Sequence, residues 1–268
     1  MSVILRHNAG FFSCCSVKLG YIVDYISKTQ QLPTYVDSSE QFVWYKPPLS
    51  SDDITYEYFE HYDNIEIAGN YLSNMSLLAN LKFHWDDQFA DYSTINYNSV
   101  CPVLKKYFAP SINIHNIIKK IEDKYNLEYD NICVLFYRGN DKMRETTICT
   151  YDEYLIYANS IMTNNPNIIF LIQSDETGFI EFMRDKFPNN SFYFKDEIRH
   201  MSKCDNTVDL VMPDTNFEFS KYYLAITIIM SKCKFIVCGS GNCSIWIMLY
   251  RGNNNNVYQN LNGKWLNG

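Results

Sequence analysis

From residue 131 onward the chain alternates short, continuously apolar runs with segments of about ten residues whose apolar positions recur at helical spacing. No other feature restricts its fold as much. The runs are Ile132–Tyr137, Ile168–Gln173, Phe192–Phe194 and Phe235–Cys238. Helices are predicted over Tyr151–Thr163, Thr177–Lys186 and Lys221–Ser231, with a further helix starting in Ser244–Leu249. A strand apolar on both faces has to be covered on both, and strands separated by helices of this length do so as a parallel sheet with helices on its two sides. An α/β fold is therefore expected for this half, and "GNNNN" at 252–256 reads as a loop.

The first half is looser. Val3–Leu5 reads as a short strand, and Val17, Leu19, Ile22, Val23 and Ile26 recur as one helix face. An extended run resumes at Leu32–Val36. The stretch 38–100 is rich in Tyr, Asp and Ser, and "KPPLSSDD" breaks it. Further on, Ser111 or Asn113 can cap a helix whose buried stripe is Ile114, Ile117, Ile118 and Ile121. A length of 268 residues with 47% apolar content suits one large domain or two. The change of pattern divides it into 1–125 and 126–268.

Charge and cysteine content remove several function classes. A net charge of −7 with Lys and Arg scattered disfavours a nucleic-acid surface, and the 22 Tyr and 17 Phe interleave with Asp and Asn rather than with cations. The apolar run Leu224–Met230 is far shorter than the roughly 20 residues of a membrane span. "MSVILRHNAGFF" is followed by charge without a small-residue cleavage site, so no signal peptide is expected. The nine cysteines include no C-x-x-C pair, and Cys133, Cys149, Cys233 and Cys238 lie in apolar text, where thiols pack as small hydrophobes. The reading is a soluble cytoplasmic protein with reduced thiols and no metal site. The Asn-x-Ser matches at Asn74, Asn189 and Asn242 are then chance.

Ligands of doubly wound sheets bind outside the carboxyl ends of the strands, and three loops meet that description. "YRGNDKMRE" follows Ile132–Tyr137 and packs Arg138, Asp141, Lys142, Arg144 and Glu145 behind one glycine. "LIQSDET" places Ser174, Asp175 and Glu176 between a strand and a helix. "IVCGSGNCS" frees the backbone at Gly239 and Gly241 and supplies Ser240, Asn242, Cys243 and Ser244 where a helix opens, a place suited to phosphate. Each loop also has a plainer reading. Arg138 can hold a diphosphate or pair with Asp141 or Asp175, and Asp175–Glu176 can cap the helix behind them. Lys142 can contact phosphate or sit in solvent. Glu145 can act as a general base or pair with Arg144 or Lys142.

Taken in order, "VLFYRGNDK", "IIFLIQSDETGFIEFMRDKFPN" and "LAITIIMSKCKFIVCGSGNCSIWIMLY" resemble the donor-binding half of the fucosyltransferase superfamily, which includes the α-1,6-, nodulation and protein O-fucosyltransferases. The resemblance covers residues 131–258 and reaches weakly into "NAGFFSCCSVKLGYIVDY". It implies two Rossmann-like domains facing across a cleft (the GT-B arrangement): a reduced acceptor-side domain, 1–125, and a nucleotide-sugar-binding domain, 126–268. It assigns donor-phosphate contact to Arg138, with Asp141 and Lys142 beside it. Ser174, Asp175 and Glu176 match the second motif, and Ser240, Gly241 and Asn242, with Cys243 and Ser244 behind them, form the phosphate-side turn. Glu145 stands one residue from the family's base. Two positions depart from the pattern: Phe136 replaces a histidine, and Ile226 replaces the acidic residue that helps read guanine. The donor is therefore GDP-fucose or a UDP-sugar such as UDP-xylose.

The chemistry implied is single displacement with inversion, with Glu145, Arg138 and Lys142 as catalytic residues and no cofactor or metal. The absence of any Asp-x-Asp agrees with a metal-independent route. On the acceptor side, His7, Asn8, Gly10 and Phe11 are expected to face the gap, with His7 or Asp86 as a further base candidate. Trp44 and Trp85 can stack on sugar rings, and Asp86 or Asp87 can hold hydroxyls. A non-catalytic nucleotide-sugar or glycan-binding module on the same fold, or another α/β enzyme of nucleotide or phosphate chemistry, remains the alternative.

Overall fold

The computed structural model describes residues 2–47, 50–67 and 88–268. It opens with strand β1 (Ser2–His7), helix α1 (Phe11–Thr29) and strand β2 (Tyr35–Gln41), and β1 and β2 pair in parallel. The short α2 (Thr55–Tyr58), α3 (Tyr97–Tyr107) and α4 (Ile112–Tyr125) follow. The second half alternates β3 (Ile132–Tyr137), α5 (Tyr151–Asn164), β4 (Ile169–Ser174), α6 (Thr177–Lys186) and β5 (Ser191–Phe192). It continues through α7 (Val208–Val211), α8 (Asn216–Lys232), β6 (Phe235–Gly239), α9 (Asn242–Arg251), β7 (Val257–Leu261) and β8 (Lys264–Asn267). These strands form one six-stranded sheet in the order β5-β4-β3-β6-β7-β8, parallel except for β8.

The apolar runs became the strands for the reason their composition implied. Every residue of β3 is buried, and β4 is buried from its second residue onward. Strand β3 and helix α6 have the expected bounds; β4 starts at Ile169 rather than Ile168. Helix α1 starts at Phe11, six residues before its recognisable stripe. Phe11, Phe12, Cys14 and Cys15 are buried as well, so its first turns show no polar face to give a period. The second extended run begins only at Tyr35, after Pro33. Ser111 is the cap of α4, its hydroxyl accepting from the Ile114 N–H, and Ile114, Ile118 and Ile121 are its buried stripe.

Helix α3 and strands β7 and β8 have no counterpart in the sequence reading. Strand β7 buries Val257 but also Gln259 and Asn260, so it lacks the apolar run that marks the other strands. Gln259 is held from both ends: its Oε1 accepts from the Tyr92 N–H at 3.0 Å, and its Nε2 donates to the Ala90 carbonyl and the Ser240 hydroxyl at 2.8 Å each.

The buried core is continuous through the chain. Helices α3 and α4, which precede residue 126, pack on α9 and α8. Trp246 of α9 is fully buried against Phe108, at 4.8 Å between ring centroids, and donates from Nε1 to the Ser16 hydroxyl of α1 at 2.9 Å. Ser16 in turn donates to Asn242 Oδ1 at 2.9 Å, so the first turn of α9 is tied to α1. No described helix is long and apolar enough to cross a membrane.

Lys18 of α1 is 2% exposed, with its Nζ 3.5 Å from the Thr55 hydroxyl, and burial pushes its pKa down to about 8 against the pull of Asp53. An unfolded lysine titrates near ~10.4. Below pH 8 the folded chain therefore carries the whole cost of burying the charge, about 3 kcal/mol for this shift. The cost fades as pH rises and the folded amine is neutral. Lys18→Met is expected to be more stable than the parent at pH 7, the gain closing above about pH 10. Urea titrations of both proteins across pH 7–10.5 check this.

Candidate active site

The sheet reverses its winding between β3 and β6. From β3 the chain moves outward to β4 and β5, and from β6 outward on the other side to β7 and β8. The loops leaving β3 and β6 thus diverge at their carboxyl ends and leave a crevice, the place where open α/β sheets hold ligands. Arg138–Glu145 enters from one side and Gly239–Asn242 from the other.

Arg138 follows β3 directly and is 27% exposed. Its Nε donates to Asp175 Oδ2 at 2.8 Å, Nη1 to the Tyr223 hydroxyl at 3.2 Å, and Nη2 to Asp141 Oδ1 at 3.3 Å. Burial opposes its charge, but Asp175, Tyr223 and Asp141 together more than offset this and its pKa is raised. Three of the five guanidinium N–H groups are used in these bonds, and one on each terminal nitrogen is left for a ligand. Asp175 also accepts from the Gly139 N–H at 3.1 Å, so one carboxylate orients both the arginine and the turn after it. It does not cap α6: the cap residue is Glu176, whose side chain makes no capping bond and instead accepts from the Tyr151 hydroxyl. The glycine in "YRGND" has a steric cause. A Cβ at Gly139 would lie 1.8 Å from Glu176 Oε2 and 2.8 Å from the Tyr137 ring.

Lys142 is 8% exposed and donates to Glu145 Oε2 at 2.5 Å and to Gln88 Oε1 at 2.9 Å. Burial pushes its pKa down, with Glu145 opposing the shift. The same Gln88 oxygen accepts from the Asn242 N–H at 3.1 Å, and the Tyr92 hydroxyl accepts from the Gly241 N–H at 3.1 Å. These bonds occupy the first two N–H groups at the start of α9. The next two, on Cys243 and Ser244, have no acceptor among the described residues and are available to an anion. The lysine stem lies so close to Gly241 that a Cβ there would be 2.9 Å from its Cε. The Ser240 hydroxyl donates to the Asn260 carbonyl and the Ser244 hydroxyl to the Gly239 carbonyl, which shapes the turn.

A cleft of about 780 Å³ brings these pieces together. Arg138, Asp141, Lys142 and Glu145 line one wall, Ser240–Ser244 another, and Ala9–Ser13 with Trp44 the side facing them. Gly10 and Phe11 therefore face the cleft as expected. His7 and Asn8 do not line it: half-buried His7 bonds the Ser13 hydroxyl at 2.9 Å, burial lowers its pKa, and Asn8 is exposed elsewhere. Ser174 and Asp175 line a second cavity of about 560 Å³ on the other side of Arg138, while Glu176 lines neither. Phe136 borders both cavities and Ile226 the second. Trp85, Asp86 and Asp87 lie outside the described residues. The sequence reading passed over Gln88, Tyr92, Gln173 and Tyr223. Of these only Gln173 carried a signal, an amide inside an otherwise apolar strand.

No family model and no curated protein matches the chain. Solved structures match it in fold. Fucosyltransferase NodZ from Bradyrhizobium aligns at TM-score 0.57 and 10% identity over 99% of this chain and 97% of that one. NodZ alpha-1,6-fucosyltransferase co-crystallized with GDP aligns at 0.59 and 10% over the same shares. A mutant of Arabidopsis thaliana FUT1 in complex with GDP aligns at 0.50 and 7% over 96% of this chain and 69% of that one. The chain thus has the fold of these fucosyltransferases along nearly all its length.

The space around the two glycines that border the site differs, and so do their expected tolerances. Gly139→Ala has to displace a buried carboxylate or a buried ring and is expected to lose about 1–3 kcal/mol of stability. A Cβ at Gly10 meets nothing within 4 Å, so Gly10→Ala is expected to stay within about 0.5 kcal/mol of the parent. Equilibrium denaturation of the two variants compares them directly.

Proposed function

We propose that this protein is a glycosyltransferase that takes a sugar from a nucleoside-diphosphate donor and passes it, with inversion and without a metal, to a hydroxyl of a glycan acceptor. One observation carries the reading. Arg138, Lys142 and the open N–H groups of Cys243 and Ser244 converge on a single cleft at the winding reversal of the sheet. Two guanidinium N–H groups, an ammonium and a helix N-terminus are together a receptor for a diphosphate. The fold likeness supports it, since one of those structures holds GDP and another was soaked with GDP-fucose. Residues 1–125 and 126–268 are then the acceptor and donor sides of a two-domain arrangement. The acceptor side is the reduced one, with a two-stranded sheet among its described residues. The cytoplasmic setting expected from the cysteines belongs to the same reading.

In this mechanism the Glu145 carboxylate removes the acceptor hydroxyl proton. The oxygen forms its bond to the anomeric carbon as the bond from that carbon to the phosphate oxygen breaks. The electron pair leaves with the nucleoside diphosphate, whose growing charge falls on Arg138, Lys142 and the start of α9. Lys142 links the two events. In the unliganded protein it neutralises Glu145. A bound diphosphate competes for the ammonium and releases the carboxylate to act as base. The donor is GDP-fucose or a UDP-sugar.

The commitment of Glu145 to Lys142 also favours a second reading, a binding module without turnover on the same fold. Slow release of free diphosphate from the donor separates the two, because only the enzyme hydrolyses it. Arg138→Ala is expected to weaken GDP or UDP binding at least tenfold. Glu145→Gln should leave that affinity within about twofold and lower transfer by 10²- to 10⁴-fold, and transfer should persist in EDTA. A panel of GDP- and UDP-sugars, scored by calorimetry and diphosphate release, measures all three. Full transfer by both variants would remove the assignment.

A further inference from the structure

Tyr223, on α8, lines both the cleft and the cavity beyond Arg138. It touches three parts of the site at once. Its hydroxyl accepts from Arg138 Nη1 at 3.2 Å. Its ring meets the buried Phe12 of α1 edge to face, at 4.9 Å between centroids. The same hydroxyl bonds the thiol of Cys243, the residue whose backbone N–H is one of the two left open at the start of α9.

The direction of each bond in this group is fixed by the next. The Thr227 hydroxyl donates to the Tyr223 carbonyl at 2.8 Å, so in its 3.5 Å contact with Cys243 the thiol is the donor. With that proton so used, the sulfur accepts from the Tyr223 O–H, and the phenol oxygen turns its lone pairs to Arg138. Burial raises the Tyr223 pKa well above the usual phenol range and raises that of the Cys243 thiol as well. Both groups therefore stay protonated at neutral pH and bring no negative charge into the cleft.

Asp175 and Asp141 already hold the guanidinium at Nε and Nη2, and Tyr223 supplies the third contact, at Nη1. Three contacts fix the plane of the fork and the direction of its two free N–H groups. A third carboxylate in that place would hold the fork too, but it would offset the charge that a diphosphate needs.

We propose that Tyr223 is a positioning residue for diphosphate binding: its hydroxyl sets the plane of the Arg138 guanidinium against the first turn of α9, so that the free N–H groups of both meet one ligand. This inference rests on the nucleotide-sugar reading of the cleft.

Tyr223→Phe keeps the ring and its packing on Phe12 and removes only the hydroxyl. Its effect is compared in two backgrounds, the parent and Arg138→Lys, because a lysine ammonium keeps a positive charge for the diphosphate but has no plane to orient. Calorimetry with GDP, UDP and inorganic pyrophosphate gives the affinities. In the parent, Tyr223→Phe is expected to weaken pyrophosphate and the tighter nucleotide by the same factor, about five- to twentyfold. In Arg138→Lys it should change them less than about twofold, since the interaction it removes is already gone. The same loss in both backgrounds, or a Tyr223→Phe protein that does not fold, would make Tyr223 a structural residue instead. A loss confined to the nucleotide would set its contact apart from the phosphates and overturn the proposal. Unchanged affinity in the parent background would overturn it too, while leaving the transferase reading intact. A parent that binds neither nucleotide removes the transferase reading and this one with it.

Discussion

The carboxylate of Asp175 is the contact on which the site depends. It stands one residue past β4, accepts from Arg138 and from the Gly139 N–H one strand over, and so joins the exits of β3 and β4. Its backbone carbonyl accepts from Asn140 Nδ2 and from the Met201 N–H, which ties in the loop after β5. Without such a partner this half-buried arginine would be an uncompensated charge. With it, the guanidinium is held in place, and two N–H groups remain for a ligand. Ion pairing and ligand binding, which look like competing roles for Arg138 in the sequence, are compatible in the fold because different N–H groups serve them.

A second set of contacts, from residues 88–92, completes the other wall. Gln88 and Tyr92 saturate the first two N–H groups of α9, and Gln88 also steadies Lys142. The unoccupied N–H groups are thereby restricted to Cys243 and Ser244, which line the same cleft as Arg138. Both walls are glycine-dependent for the same reason, close approach of a side chain to backbone: Glu176 onto Gly139 and Lys142 onto Gly241.

Much of this was legible in the residues. Unbroken apolar runs announced β3, β4 and β6, since only strands covered on both faces tolerate such composition. The charged or glycine-rich loops at their ends announced the cleft. Less legible were segments whose burial is polar. Strand β7 hides Gln259 behind hydrogen bonds to Ala90, Tyr92 and Ser240, far away in the chain, and no local pattern reveals such partners. Helix α1 was read six residues short because its first six residues are all buried. His7 looked like a cleft residue from its place at a strand end, yet its ring turns to Ser13.

The sequence by itself determined the class of the fold, the strands that compose its centre and the loops that carry charge, because hydrophobic period and glycine placement are local properties. The tertiary structure alone decided which charges meet. Strand order sets β6 beside β3, so the α9 turn faces Arg138. Asp175 is spent on the arginine rather than on a helix cap, and Lys142 is shared between Glu145 and Gln88. Each of these is a pairing between residues distant in the chain, and burial makes leaving such groups unpaired costly enough that the choice of partner defines the site.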